Sequence, residues 1–131
     1  MTASLQKHIK KHTQISDENL EKLVDLISHS NQVIFAVVNA ENDLLGIVHF
    51  NTIREIIFNS YRVKYTKIKD VMLPLNEIIT PDESMEMVMN KFEKSKMTYL
   101  PVLKNEKYYG FISKSIALEA YRTKLKAMTI D

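Results

Sequence analysis

Few residues in this chain have the type and spacing to do chemistry. His8 and His12 stand four apart, a spacing that lets two imidazoles on one helix share a metal ion. No nearby carboxylate completes a ligand set, so a solvated basic stretch is the preferred reading. His49 falls at the edge of an apolar run and reads either as a cleft residue or as an ordinary half-buried histidine. Cysteine is absent, which excludes thiolate catalysis, disulfides and Cys-ligated metal sites. The only glycines are Gly46 and Gly110, too few for a glycine-rich phosphate loop. No Ser-His-Asp order carries a local signature, and the carboxylates gather at helix starts, where the helix dipole already accounts for them. Catalysis and a required cofactor are therefore not expected.

The elements that must position any site follow from composition and pattern. The chain has 131 residues, 45% of them apolar and 26% charged, with a formal charge of +2. That describes one compact domain or two very small ones, with too even a charge for a dedicated nucleic-acid binder. No apolar run approaches the ~18 residues of a membrane span, and residues 1–12 lack the apolar stretch of a secretory signal. A soluble intracellular domain is expected.

A repeat organises the sequence. Ile34–Val38, a polar stretch Asn39–Asp43 and Leu44–Val48 match Tyr99–Leu103, Lys104–Lys107 and Tyr108–Ile112, with the two glycines 64 residues apart. Each half reads as a hairpin, and its nearly continuous apolar runs suit a sheet covered by helices. Upstream, Leu20, Leu23, Val24 and Ile27 have helical spacing after Ser16-Asp17-Glu18, and Met85, Val88, Met89 and Phe92 repeat that pattern 65 residues later. The second helix is expected to begin at Thr80-Pro81-Asp82-Glu83, with a capping hydroxyl, proline at the first position and acids on the dipole. Downstream helices are expected over Ile53, Ile56 and Ile57, and over Ile116, Ala117, Ala120 and Tyr121. Short extended pieces, Thr13–Ile15 and Glu77–Ile79, precede each half. Residues 59–70 read as a polar connector, and Val71–Leu75 as an apolar turn docking the second half.

This duplicated order resembles a tandem pair of CBS domains, a Bateman module. The resemblance covers residues 13–125, and its second half is the more typical: Ile78-Ile79-Thr80-Pro81-Asp82, Tyr99-Leu100-Pro101-Val102 and Gly110-Phe111-Ile112-Ser113-Lys114-Ser115. It implies an α/β fold of two β-α-β-β-α repeats related by a pseudo-twofold axis, with sheets face to face and helices outside. The expected organisation is a linker over 1–12, one repeat over 13–60, a connector over 61–76 and a second repeat over 77–131. A finer resemblance, carried by Gly46-Ile47-Val48, Ile53–Phe58, Gly110–Ser115 and Tyr121-Arg122, is to the cytosolic CBS pair of bacterial CLC-type chloride channels and transporters. It implies a homodimeric, non-catalytic module on the cytoplasmic side of the membrane, in the same chain as a membrane-embedded transport domain. The alternatives are a free-standing nucleotide sensor that regulates a soluble enzyme, and a structural dimerisation element without a ligand.

The resemblance also implies where ATP, ADP or AMP would sit. Ile79, Thr80, Tyr99 and Pro101 would line an adenine pocket, Ser113 would offer its hydroxyl to phosphate and Lys114 its charge, with His49 at the matching position of the first half. The aspartate that holds the ribose in the family is Ile116 here, and Thr52 in the first half. Losing charge-assisted bonds worth about 1.5–3 kcal/mol each weakens such a site. Of the methionines, Met85 and Met89 read as core and Met87 as surface. Arg62, Lys64, Lys67 and Lys69 read as a solvated face, and no nucleic-acid partner is expected.

Overall fold

The computed structural model describes Ile9 and residues 20–128. Its contacts divide the chain into two compact units, His12–Leu75 and Asn76–Asp131, the latter joined by an N-terminal piece that includes Ile9. The histidine pair at 8 and 12, the extended Thr13–Ile15 and the helix start at Ser16 lie outside the described residues.

In the first unit, α1 (Leu20–Ser28) leads into β1 (Ile34–Val38) and β2 (Leu44–His49), an antiparallel pair. Leu20 and Leu23 of α1 are buried together with Phe35, Val37, Val48 and Ile53, while Val24, Leu26 and Ile27 pack at the margin. Every residue of β1 is buried, as its unbroken apolar sequence requires. Each such side chain contributes about 1.5–3 kcal/mol by leaving water.

Three short helices follow β2: α2 (Phe50–Ile53), α3 (Ser60–Tyr65) and α4 (Ile68–Val71). The expected longer helix through Ile57 stops at Ile53, because β-branched Thr52, Ile53, Ile56 and Ile57 are poor helix formers. Ile56 still reaches the core from a turn. The stretch read as a polar connector folds into α3 and α4. Asn59 caps α3 by accepting from the Arg62 N–H at 3.1 Å, and the Asp70 carboxylate accepts the Lys67 N–H at 3.2 Å to close the first turn of α4.

Val71–Leu75, read as an apolar turn docking the second half, is tied to the first unit by its backbone. Leu73 exchanges two backbone hydrogen bonds with Ile47 of β2, at 2.7 and 3.2 Å. Gly46 makes this approach possible: a Cβ there would fall on the Met72 side chain and lie 2.8 Å from the Leu73 carbonyl oxygen.

The second unit runs α5 (Met85–Ser95), β3 (Tyr99–Lys104), β4 (Lys107–Ser113) and α6 (Lys114–Met128). Its core gathers Ile79, Met85, Val88, Phe92, Leu100, Val102, Ile112 and Ala117, with Ile9 and Met89 packed against them. Ile79 adds a parallel bridge beside β3, donating to Pro101 O at 3.0 Å and accepting from Leu103 N at 2.8 Å. Helix α5 does not start at Thr80. Thr80–Glu83 closes as a separate turn, and Ser84 caps the helix by accepting from Met87 N at 3.2 Å.

Candidate functional site

The two hairpins share one hydrogen-bonding plan. Val37 faces Gly46 and Val102 faces Gly110, and in both pairs the register then slips by one residue. The residues bulged out by this slip, Leu45 and Tyr109, are partly exposed in both units. Where each second strand ends, a backbone bond turns the chain into the next helix: Phe50 N to Val33 O in one unit, Lys114 N to Thr98 O in the other, both 2.8 Å. The residue before that turn caps the helix. His49 Nδ1 accepts from Asn51 N at 3.1 Å, and Ser113 Oγ accepts from Ile116 N at 3.2 Å. The paired positions His49 and Ser113 thus have a shared structural task, set by the unpaired N–H groups of a helix start.

Around Ser113 the second unit assembles part of the expected site. Tyr99 pairs with Ser113 across the hairpin and is half-buried. Lys114 opens α6, and its Nζ lies 3.8 Å from Glu93 Oε2. Ser113 Oγ also lies 3.4 Å from Ser115 Oγ, a pair in which either hydroxyl can donate, so an anion here would compete with Ser115 for the Ser113 hydrogen. Ile116 occupies the first turn of α6, half-buried. Thr52 is exposed on α2 of the other unit. Neither supplies a carboxylate.

Ile79, Thr80 and Pro101 lie elsewhere. Ile79 is fully buried in the core and Pro101 is buried in β3. Thr80 follows the Ile79 bridge at the far end of β3, four residues from Tyr99, or about 13 Å along an extended strand. There it lines an open groove of 520 Å³ with Ile78, Pro81, Asp82, Leu103 and Asn105. His49 belongs to the first unit and faces Ile34 across its own hairpin.

A polar cluster holds the Thr80 turn in place. Glu83, only 9% exposed, accepts at Oε1 from the Thr80 N–H at 3.1 Å and the Thr80 hydroxyl at 3.3 Å. The Lys91 ammonium meets the same oxygen at 2.6 Å and donates to Ile78 O at 2.7 Å. The Thr80 hydroxyl also reaches Asp82 Oδ1 at 2.6 Å. That bond, with Asp82's own backbone N–H, holds the exposed Asp82 carboxyl below its ordinary value of 3.8. The sequence signal for this turn was present as Thr-x-x-Glu, a capping-box spacing. The role of Lys91, eight residues on, had no such signal. Among the described residues, no group of three or more His, Asp or Glu side chains is placed to hold a metal ion, and no helix is long and apolar enough to cross a membrane.

Residues 68–123 match the family model of the CBS domain. Among solved structures, the chain is similar to OpuCA of Staphylococcus aureus, with 18% identity over 90% of this chain and 98% of that one and a TM-score of 0.72. CBSX2 in complex with AMP is similar at 16% identity, covering 91% and 96%, also with a TM-score of 0.72. The CBPB protein of Listeria monocytogenes in complex with c-di-AMP follows at 15% identity, covering 95% and 98%, with a TM-score of 0.72. The fold, two antiparallel strand pairs with their helices, is that of CBS-domain structures. The family match lies in the second half of the chain, and the shared fold extends over both units.

Proposed function

We propose that this chain is a non-catalytic regulatory module of the CBS-pair type whose input is an adenine nucleotide. One observation carries the reading. The start of α6 brings together an aromatic ring, a hydroxyl and a cation, in a fold whose solved relatives include one with AMP and one with c-di-AMP. In this reading Tyr99 stacks on the base, Ser113 donates to a phosphate oxygen, and Lys114 exchanges Glu93 for the phosphate. Ile79 and Pro101 back the strand from the core, Thr80 holds the neighbouring turn, and His49 marks the counterpart position of the first repeat.

With Ile116 and Thr52 where ribose-binding carboxylates would stand, affinity falls by a decade or more. A ligand can act only through unequal affinity for two arrangements of the module. The repeats are assigned to 13–60 and 77–131, either side of a connector at 61–76, and the module works as a homodimer.

Its setting has two readings. The Gly46–Phe58 and Gly110–Ser115 segments favour the cytosolic part of a CLC-type anion channel or transporter. A free-standing regulator of a soluble enzyme is the alternative, equally consistent with the similar structures. Sequencing the gene upstream of Thr2 for hydrophobic spans separates them.

Calorimetric titration with ATP, ADP, AMP and c-di-AMP tests the ligand, after light scattering has fixed the oligomeric state. Binding at micromolar to about millimolar concentration, lost in Tyr99→Ala and Lys114→Ala, supports the reading. No heat and no thermal shift from a folded dimer at roughly millimolar ligand overturns it and leaves a structural dimerisation element.

A further inference from the structure

The first unit carries a surface that no part of the nucleotide reading uses. Phe58 is 88% exposed, Tyr61 71% and Tyr65 63%; Tyr61 and Tyr65 share one side of α3 at helical spacing, and Phe58 stands in the turn just before its cap, Asn59. Val63, on the opposite side of α3, is buried, so packing of the core fixes the aromatic stripe outward. In the same segment, Arg54, Arg62, Lys64, Lys67 and Lys69 are all exposed. Residues 54–69 hold these five cations and one carboxylate, Glu55, in a chain whose formal charge is +2. The remainder of the molecule is therefore net acidic, and the positive charge is concentrated where the rings are.

We infer that this face docks on an anionic lipid surface. Exposed aromatic rings are costly in water, and rimming them with cations fits an interface that is apolar beneath and negative on top. Tyrosine with its ring in the headgroup layer and hydroxyl in water, and lysine with its stem along the acyl boundary, are the side chains that settle there. Phe58 supplies the apolar tip and the basic residues supply attraction to acidic headgroups.

The alternative occupant with the same charge preference is a single-stranded nucleic acid, which needs open ring faces for stacking. Here Tyr61 and Tyr65 rest against each other, with centroids 4.7 Å apart and planes tilted by 47°. Lys64 Nζ lies 5.6 Å from the Tyr65 centroid. The two tyrosine rings lean on one another rather than standing apart as separate stacking platforms, and their edges and hydroxyls remain for an interface. The inference is independent of the nucleotide reading, since the stripe lies wholly in the first unit.

Vesicle co-sedimentation of the nucleotide-free chain tests it. The probes are phosphatidylcholine alone and phosphatidylcholine with about a third phosphatidylserine, at low and high salt. The expected result is binding to the anionic vesicles only, weakened by salt. Phe58→Ala should lower the partition coefficient about fivefold or more, and Lys64→Glu with Lys67→Glu should lower it by more than about tenfold. All three side chains are exposed, so circular dichroism should be unchanged in both variants. Equal binding to both vesicles, or anionic binding that ignores these substitutions, overturns the inference. So does retention of single-stranded RNA without vesicle binding. A dimer that dissociates on Phe58→Ala while vesicles are not bound also overturns it and makes the face a contact between copies.

Discussion

The two hairpin units repeat a backbone and differ in nearly everything hung on it. Gly46 and Gly110 face the same valine-type position, the same one-residue slip follows, and the same 2.8 Å bond leads into the next helix. After that bond the units part. Helix α6 runs for 15 residues on Ala, Leu, Lys and Glu, while α2 ends after 4 among β-branched residues. The turns differ as well. Asn39 organises the first loop by accepting from Glu41 N and Asp43 N, whereas Asn105 and Glu106 both take positive φ, 52° and 68°, as a two-residue turn requires. Duplication has preserved the pattern of peptide hydrogen bonds, and local side-chain chemistry has decided the lengths and ends of the elements.

Substitution at equivalent positions should expose this difference, most strongly in the cores. Phe92 is fully buried and its counterpart 65 residues earlier, Ile27, sits at the margin. Phe92→Ala should cost about 3–5 kcal/mol by urea titration and Ile27→Ala less than half of that. Equal losses would mean that the two helices bear on their cores alike. Gly46→Ala comes next, at about 1–3 kcal/mol, because the new Cβ meets Met72 and the Leu73 carbonyl. A neutral result would show that the Met72–Leu73 segment yields freely.

The paired caps give a smaller effect. Ser113→Ala should cost about 1 kcal/mol, and His49→Ala less, since α2 has little helix to lose. In the turns, Glu106→Gly should stabilise by about 0.5–1 kcal/mol, because glycine takes positive φ without strain. Asn42→Gly at φ 64° should change little, asparagine being tolerant there. The smallest effect concerns acid. Asp82 is held below 3.8 by the Thr80 hydroxyl, so its contribution is fully present above that pH and is lost as pH falls through its lowered value. Thr80→Val should return the carboxyl toward 3.8 in an NMR titration and flatten that part of the acid limb. No movement would assign the shift to the backbone alone.

The strand pairs were legible in the sequence because two apolar runs around a glycine occur twice, and such runs have few other ways to bury themselves. The helix faces were legible for the same reason: Leu20, Leu23, Met85, Val88 and Phe92 recur at helical spacing and are all buried. What escaped depends on competition between polar groups. Pro81 pointed to a helix start, but the Glu83 carboxylate turns back to the Thr80 N–H and closes the turn before Ser84 opens the helix. The short α3 and α4 depend on single caps, Asn59 and Asp70, that a polar composition hides. Of the candidate ligand residues, Tyr99, Ser113 and Lys114 were brought together because strand register fixes them. Thr80 was set apart by the direction of a parallel bridge, which no local pattern encodes.

Ile9 packs against the core of the second unit, whose other members begin at Ile79. Between them in the sequence lies the whole first unit. A ribosome therefore releases Ile9 roughly seventy residues, or several seconds of synthesis, before the residues it packs against. The inserted unit has its α1, hairpin and short helices in hand during that interval, while Ile9 must wait exposed. The order of birth and the order of assembly are opposed for this one residue. Shortening the wait by moving the 9-containing segment to the far end of the chain should speed completion of the second unit more than that of the first.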